Sequence, residues 1–191
     1  IHERIVSALL DHRLLPGTKL VEDKLGQAFG VSRTRIRHVL IRLANEQLVT
    51  LTPHRGATVA QPSVDEAREV FGVRRLIEPT LVSLYLARAT AEDHAQLDAC
   101  IAAEEAARAR GDRHRAIRLS GEFHLRIAQA AHHQTLGRVL RELVSRTSLV
   151  LMTYGTPEAT AGTPMDGCRC HEHRALLTAL QLGDALAAGE V

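Results

Sequence analysis

Gly30-Val31-Ser32-Arg33-Thr34-Arg35-Ile36-Arg37-His38-Val39-Leu40-Ile41-Arg42-Leu43 decides the fold. Ile36, Val39, Leu40 and Leu43 recur at i, i+3, i+4 and i+7, which makes one buried stripe on a helix. Thr34, Arg37, His38 and Arg42 project away from that stripe, with Arg33 at its edge. Ser32 suits the N-cap, because its hydroxyl accepts from a free first-turn amide. A helix with a dry back and a cationic front suits the DNA major groove. Taken alone, a basic helix can also be the solvated face of a bundle helix. The flanks separate the two readings.

Upstream, Ile5, Val6, Leu9 and Leu10 have helical spacing, and Pro16-Gly17 then breaks the chain. Leu20, Leu25, Ala28 and Phe29 form a short second helix. Glu22-Asp23 stand near its positive end and Gly30 closes it. The break at Gly30-Val31-Ser32 is the turn of a helix-turn-helix. Downstream, Leu48-Val49-Thr50-Leu51 and Ala57-Thr58-Val59-Ala60 read as strands, and Pro53-His54-Arg55-Gly56 between them has hairpin chemistry. The prediction for residues 1–62 is a winged helix-turn-helix with a two-stranded wing and Arg55 at its tip.

Charge is distributed unevenly. Residues 1–64 hold nine Lys/Arg against five Asp/Glu, whereas residues 65–191 hold fifteen against seventeen. A basic first third on a slightly acidic body points to a nucleic-acid module joined to something else. Aromatics make up 3% and Trp is absent, which favours helices over a β-sandwich. Three cysteines give no disulfide framework and fit a reducing compartment. No apolar run approaches the roughly 20 residues of a membrane span, and no secretory signal is visible. These features predict a cytoplasmic protein with no membrane partner.

Gln61-Pro62-Ser63 reads as a linker, with Ser63 able to cap the next helix. From there to Val191 the pattern is helical throughout. Segments near 65–89, 91–110, 113–131 and 135–154 are each apolar on one face, and helices resume near 170 and at Asp184. Residues 155–167, rich in Thr, Pro and Gly, read as a mobile loop. The expected fold is mainly α: the winged module, then an all-α helical bundle over 63–191.

The first 60 residues resemble the DNA-binding domain of GntR-type bacterial transcription regulators. The resemblance rests on Leu15-Pro16-Gly17, Leu20, Glu22, Leu25, Gly30-Val31-Ser32-Arg33-Thr34, Arg37, Leu40, Arg42-Leu43 and Arg55-Gly56-Ala57. The body resembles the all-helical FCD ligand-binding domain of the FadR-like branch, through Val73-Arg74, Leu76, Glu78, Glu122-Phe123-His124, Glu172-His173, Leu176, Leu177, Leu180 and Gly183-Asp184. The chain departs from its apparent relatives at Arg35, where they often carry Pro, and at His38, where they often carry Glu. The resemblance implies DNA contacts at Ser32, Arg33, Thr34, Arg35, Arg37 and His38, and wing contacts at Arg55 and Gly56. Arg33 also has Glu22 or Asp23 as a partner within the module.

For the body, the resemblance implies an effector cavity, with Arg74, Ser120, His124, Arg146 and His173 as its candidate polar lining. Relatives often bind a divalent metal such as Zn, Ni or Mn through three histidines and an Asp four residues before the first. Here that position is Ser120, which leaves His124 and His173 as metal candidates. The family's last histidine lies beyond Val191, so the final helix is expected to be cut short. Cys168-Arg169-Cys170 has C-x-C spacing, unlike common structural zinc sites. The reading that follows is a homodimeric regulator that binds a palindromic operator and answers to a small metabolite, an organic acid in the first instance. The alternative is a metal-dependent enzyme using His124 and His173.

Overall fold

The computed structural model describes residues 1–154 and 169–183. Its N-terminal part holds α1 (His2–Leu10), β1 (Lys19–Leu20), α2 (Glu22–Phe29), α3 (Arg33–Asn45), β2 (Val49–Thr52) and β3 (Gly56–Val59). Gly30 ends α2 in the left-handed region at φ 65°, a conformation that favours glycine. Ser32 caps α3, its Oγ accepting from the Arg35 N–H at 3.4 Å. Ile36, Leu40 and Leu43 are buried, as the stripe predicts, and Val39 is partly buried.

The wing differs from the two-stranded expectation. The sheet has three antiparallel strands in the order β1-β3-β2, with Val49 opposite Val59 and Leu20 opposite Ala57. The added strand is only two residues long, too short for period-two alternation to reveal. It covers the open edge of β3, and the Val59 N–H donates to the Thr18 carbonyl at 2.9 Å.

Five helices follow among the described residues: α4 (Val64–Arg88), α5 (Ala91–Ala109), α6 (Arg113–Ala130), α7 (Gln134–Tyr154) and α8 (Arg169–Leu182). Their starts are fixed by local chemistry. Ser63 with Glu66 and Thr90 with Asp93 form reciprocal capping boxes, and Asp112 caps α6. Tyr85, Leu97, Ile101, Phe123 and Leu140 centre the bundle core. Gly121 lets α6 approach α7, since a Cβ there would stand 2.8 Å from a Val144 methyl. The loop expected over 155–167, the helix expected at Asp184 and the Cys168 and Cys170 side chains lie outside the described residues.

The two parts touch along α1. Leu149 of α7 belongs to the winged module's own core, the cluster that also holds Ile5 and Leu9 of α1, and α7 packs on α1. Arg118 of α6 pairs with Asp11, and the Tyr154 hydroxyl donates to the Pro62 carbonyl at 2.8 Å. His12, at φ 55°, packs its ring on that of His114 with centroids 4.0 Å apart. Its Nε2 is buried with no hydrogen-bond partner among the described residues.

Burial, then the neighbouring His114 and Arg113, hold the His12 pKa down from 6.5 to about 4. Between those values the unfolded chain binds a proton that the folded chain refuses, so stability rises with pH there. Acidification from pH 6.5 to 4 is therefore expected to remove the stability that neutral His12 contributes. The loss is about 1–2 kcal/mol once solvent screening of a partly exposed ring is allowed for. His12→Asn, which tolerates the left-handed backbone, should flatten that part of the curve. Urea unfolding at pH 4.5 and 7 measures the difference; equal pH dependence in both proteins would refute it.

Candidate functional site

Ser32, Arg33, Thr34, Arg35, Arg37 and His38 are all exposed on one end of α3, and Arg55 and Gly56 are exposed on the β2–β3 turn. A groove lined by Lys19, Arg33, Arg37, His54 and Arg55 runs between the helix and the wing. One carboxylate organises its floor. Glu22, in the first turn of α2, accepts from Arg33 Nε at 2.6 Å and from Arg37 Nε at 3.1 Å. These hydrogen bonds, Arg33's first, hold the Glu22 carboxyl below the usual range. The Arg33 partnership stands among the sequence expectations; the sharing of the same carboxylate with Arg37 does not.

The second site lies inside the bundle. A cavity of about 550 Å³ opens between α4, α6, α7 and α8. Phe71, Val82, Ile117, Val144, Leu151 and Leu176 make its apolar wall, and Arg74, Glu78, Ser120, His124, Thr147, Ser148 and His173 its polar one. Arg74 donates through Nε to Glu78 at 2.5 Å and through Nη1 to the Thr147 hydroxyl at 3.3 Å. Glu78 meets His124 Nδ1 at 2.7 Å. His124 Nε2 lies 3.4 Å from His173 Nε2, and His173 Nδ1 lies 2.9 Å from Glu104.

A continuous polar chain thus crosses the bundle from Arg74 to Glu104. Burial favours the neutral form of Glu78, but the His124 N–H and the charge of Arg74 outweigh it and keep the carboxyl ionised. Burial pushes His124 down, against the pull of Glu78. A neutral imidazole that donates Nδ1–H to a carboxylate leaves Nε2 as an acceptor.

The cavity unites four of the five predicted effector residues: Arg74, Ser120, His124 and His173. Arg146 is not part of its lining; its charge instead acts on Glu66, at the start of α4. Tyr154, at the end of α7, bonds the linker at Pro62. Glu104 escaped the sequence reading. It is fully buried on α5 within the stripe Leu97, Cys100, Ile101, Glu104 and Ala107, so helical spacing did carry the signal.

Whether these residues suit a metal turns on the donor count. Each imidazole is steered through Nδ1 by a carboxylate, as ligating histidines are. Yet only two donors converge, Ser120 is a poor third, and no group of three or more His, Cys, Asp or Glu meets among the described residues. Four ligands are the rule for zinc, so this set does not fit a metal by itself.

Residues 1–59 match the model of the bacterial regulatory proteins of the gntR family, and residues 69–191 match the FCD domain. The chain belongs to the GntR family, in its FCD-bearing branch. Among relatives, the HTH-type transcriptional regulator McbR of Escherichia coli (strain K12) is 26% identical over 133 residues, which is 70% of this chain and 58% of McbR. The Nta operon transcriptional regulator of Aminobacter aminovorans is 25% identical over 138 residues, 72% of this chain and 65% of that protein. The chain spans less than two thirds of the length of these two curated relatives.

The solved structure of E. coli McbR/YncC aligns with a TM-score of 0.84 at 23% identity, covering 99% of this chain and 88% of that one. It bears out the fold: winged module first, helical domain after. The matched family and relatives of this chain are transcription regulators and not enzymes, which sets aside the reading as a metal-dependent enzyme. No helix among the described residues is long and apolar enough to cross a membrane.

Proposed function

We propose that this chain is a cytoplasmic, homodimeric transcription regulator that reads a palindromic DNA operator through α3 and the wing. A small organic acid in the bundle cavity releases or rearranges it. The observation that carries this reading is one chain with a basic helix-and-wing groove and, in the helical part joined to it, a cavity that presents the Arg74 guanidinium, two histidines and Ser120. Arg33, Arg35, Arg37 and His38 face the major-groove edges, Ser32 and Thr34 the phosphates, and Arg55 and Gly56 the minor groove. The Arg74 guanidinium, with Ser120 and the two histidines, suits a carboxylate, and the Phe71–Leu151 side suits a short apolar tail. The ligand meets protein groups directly, without an intervening ion. An anisotropy titration with duplex DNA at two salt concentrations tests the DNA arm, and salt-insensitive or absent binding would sink it. A thermal-shift screen of small carboxylates tests the cavity, since a ligand of the folded state raises apparent stability.

Two-fold symmetry matches paired half-sites. On α4 the exposed face carries Gly72, Val73, Leu76, Thr80, Ser83 and Ala87, with Leu76 77% and Val73 40% exposed. An apolar and small-residue stripe of this kind suits the same stripe on a second copy. Leu76→Glu is expected to bury an unpaired charge there and raise the dimer dissociation constant at least about tenfold. Sedimentation equilibrium reads the change, and an unaltered association would place the dimer contact elsewhere.

A further inference from the structure

Four hydroxyls on α7 turn back onto their own helix. Ser145 donates to the Arg141 carbonyl at 3.0 Å, Thr147 to Leu143 at 2.8 Å, Ser148 to Val144 at 3.1 Å and Thr153 to Leu149 at 2.8 Å. Such i−4 bonds compete for carbonyls that serve the helix ladder, and they bend and soften helices. Thr147 and Ser148 also face the cavity. One residue further on, Leu149 points to the other side of α7 and is 1% exposed inside the winged module's core. A single softened turn therefore borders the cavity on one side and the DNA-binding part on the other.

We infer that α7 is the coupling element of this protein: hydroxyls at Thr147 and Ser148 set its bend, and Leu149 passes that bend to α1 and, through the shared core, to the rest of the winged module. The inference rests on the reading of the cavity as the effector site. A carboxylate that draws either hydroxyl off its carbonyl alters the turn that seats Leu149. Arg74, already bonded to Thr147 Oγ1 at 3.3 Å, is the cation that brings the carboxylate there. The contact of Arg118 with Asp11 gives α6 a second hold on the same end of α1. Ligand binding then shifts the DNA-binding part because the two bends of α7 seat Leu149 differently.

The test needs no effector. Thr147→Val with Ser148→Ala removes both hydroxyls and leaves side chains of similar or smaller size in place. Amide hydrogen exchange over His2–Leu10 and Arg33–Asn45, and affinity for a mixed-sequence duplex, are compared with the wild-type chain. Both readouts are expected to change by about fivefold or more, the lower range of allosteric couplings. Introduced into a Leu149→Ala background, the same pair should change them by less than half as much. Leu149→Val, a smaller truncation at the same contact, supplies a second weakened background should Leu149→Ala not fold. Unchanged exchange in α1, or a change of equal size in these backgrounds, overturns the inference. Failure of every carboxylate to bind the wild-type chain would overturn the effector reading instead, whatever the exchange shows.

Discussion

Glu104→Ala is expected to cost about 3–5 kcal/mol of folding stability, the range for removing one partner of a buried ion pair. Glu104 is fully buried and accepts from His173 Nδ1 at 2.9 Å and from Arg108 Nη2 at 2.7 Å. Burial raises its pKa, but the bonds from His173 and Arg108 win and the carboxyl lies below its ordinary value. Alanine would leave the buried His173 N–H without its acceptor and open a void beside His173, whose ring stacks on that of Phe123 at 4.3 Å. Glu104→Gln keeps volume and an acceptor oxygen, so it should cost about 1–3 kcal/mol, the price of one charged hydrogen bond.

The pH dependence has a definite sign. Glu104 contributes fully above the unfolded value of 4.5, and the contribution is lost as pH falls through its lower folded value. Urea unfolding at pH 7 and pH 4 measures both effects. A loss under about 1 kcal/mol for alanine would mean that the carboxylate is solvated and the polar chain is not what fixes His173.

The winged module was legible because its signals are local. A glycine at a left-handed turn, a serine cap and a stripe at helical spacing each act within a few residues, and Gly30, Ser32 and Ile36–Leu43 take the predicted places. The third strand was not legible, because Lys19–Leu20 is defined by its partner Ala57–Thr58, far along the chain. In the bundle, Ser63 and Asp112 mark helix starts to within a residue, since caps satisfy amides that nothing else can reach.

Cavity residues were half legible. Arg74, Ser120, His124 and His173 converge through helix packing, which a motif can suggest and spacing alone cannot. Arg146 fell outside because one residue along α7 turns a side chain by about 100° away from Thr147. The run Leu149-Val150-Leu151-Met152 held a readable clue: four successive apolar residues on a helix mean burial on more than one side.

The second large effect concerns DNA. Glu22→Gln is expected to strengthen binding to mixed-sequence duplex and to weaken discrimination in favour of a selected operator. Glu22 is the acid shared by Arg33 and Arg37, each held through Nε. Arg37 also reaches Glu22 through Nη2 at 3.4 Å and Arg33 Nη1 lies 3.8 Å from Asp23, so each guanidinium plane is held in a fixed orientation while the side chain stays exposed to a guanine edge or a phosphate. Loss of the carboxylate removes a negative charge that repels phosphate, so about one more phosphate is neutralised and the slope of log K against log salt steepens by about 0.9. The freed side chains then lose the orientation on which base readout depends, and discrimination should fall by about 1–3 kcal/mol, the worth of one bidentate base contact.

Arg37→Ala separates charge from geometry. It should flatten the salt slope and weaken operator binding, because it removes the cation itself, whereas Glu22→Gln should steepen the slope and lose specificity. A duplex recovered by selection from a random pool serves as the operator, with a scrambled duplex as reference. If Glu22→Gln leaves the operator-to-scrambled ratio unchanged while the slope steepens, Glu22 acts only as a charge and the orientation of Arg33 and Arg37 comes from elsewhere on α3. If neither quantity moves, the two arginines abandon Glu22 on meeting DNA, and the groove floor is rebuilt in the complex.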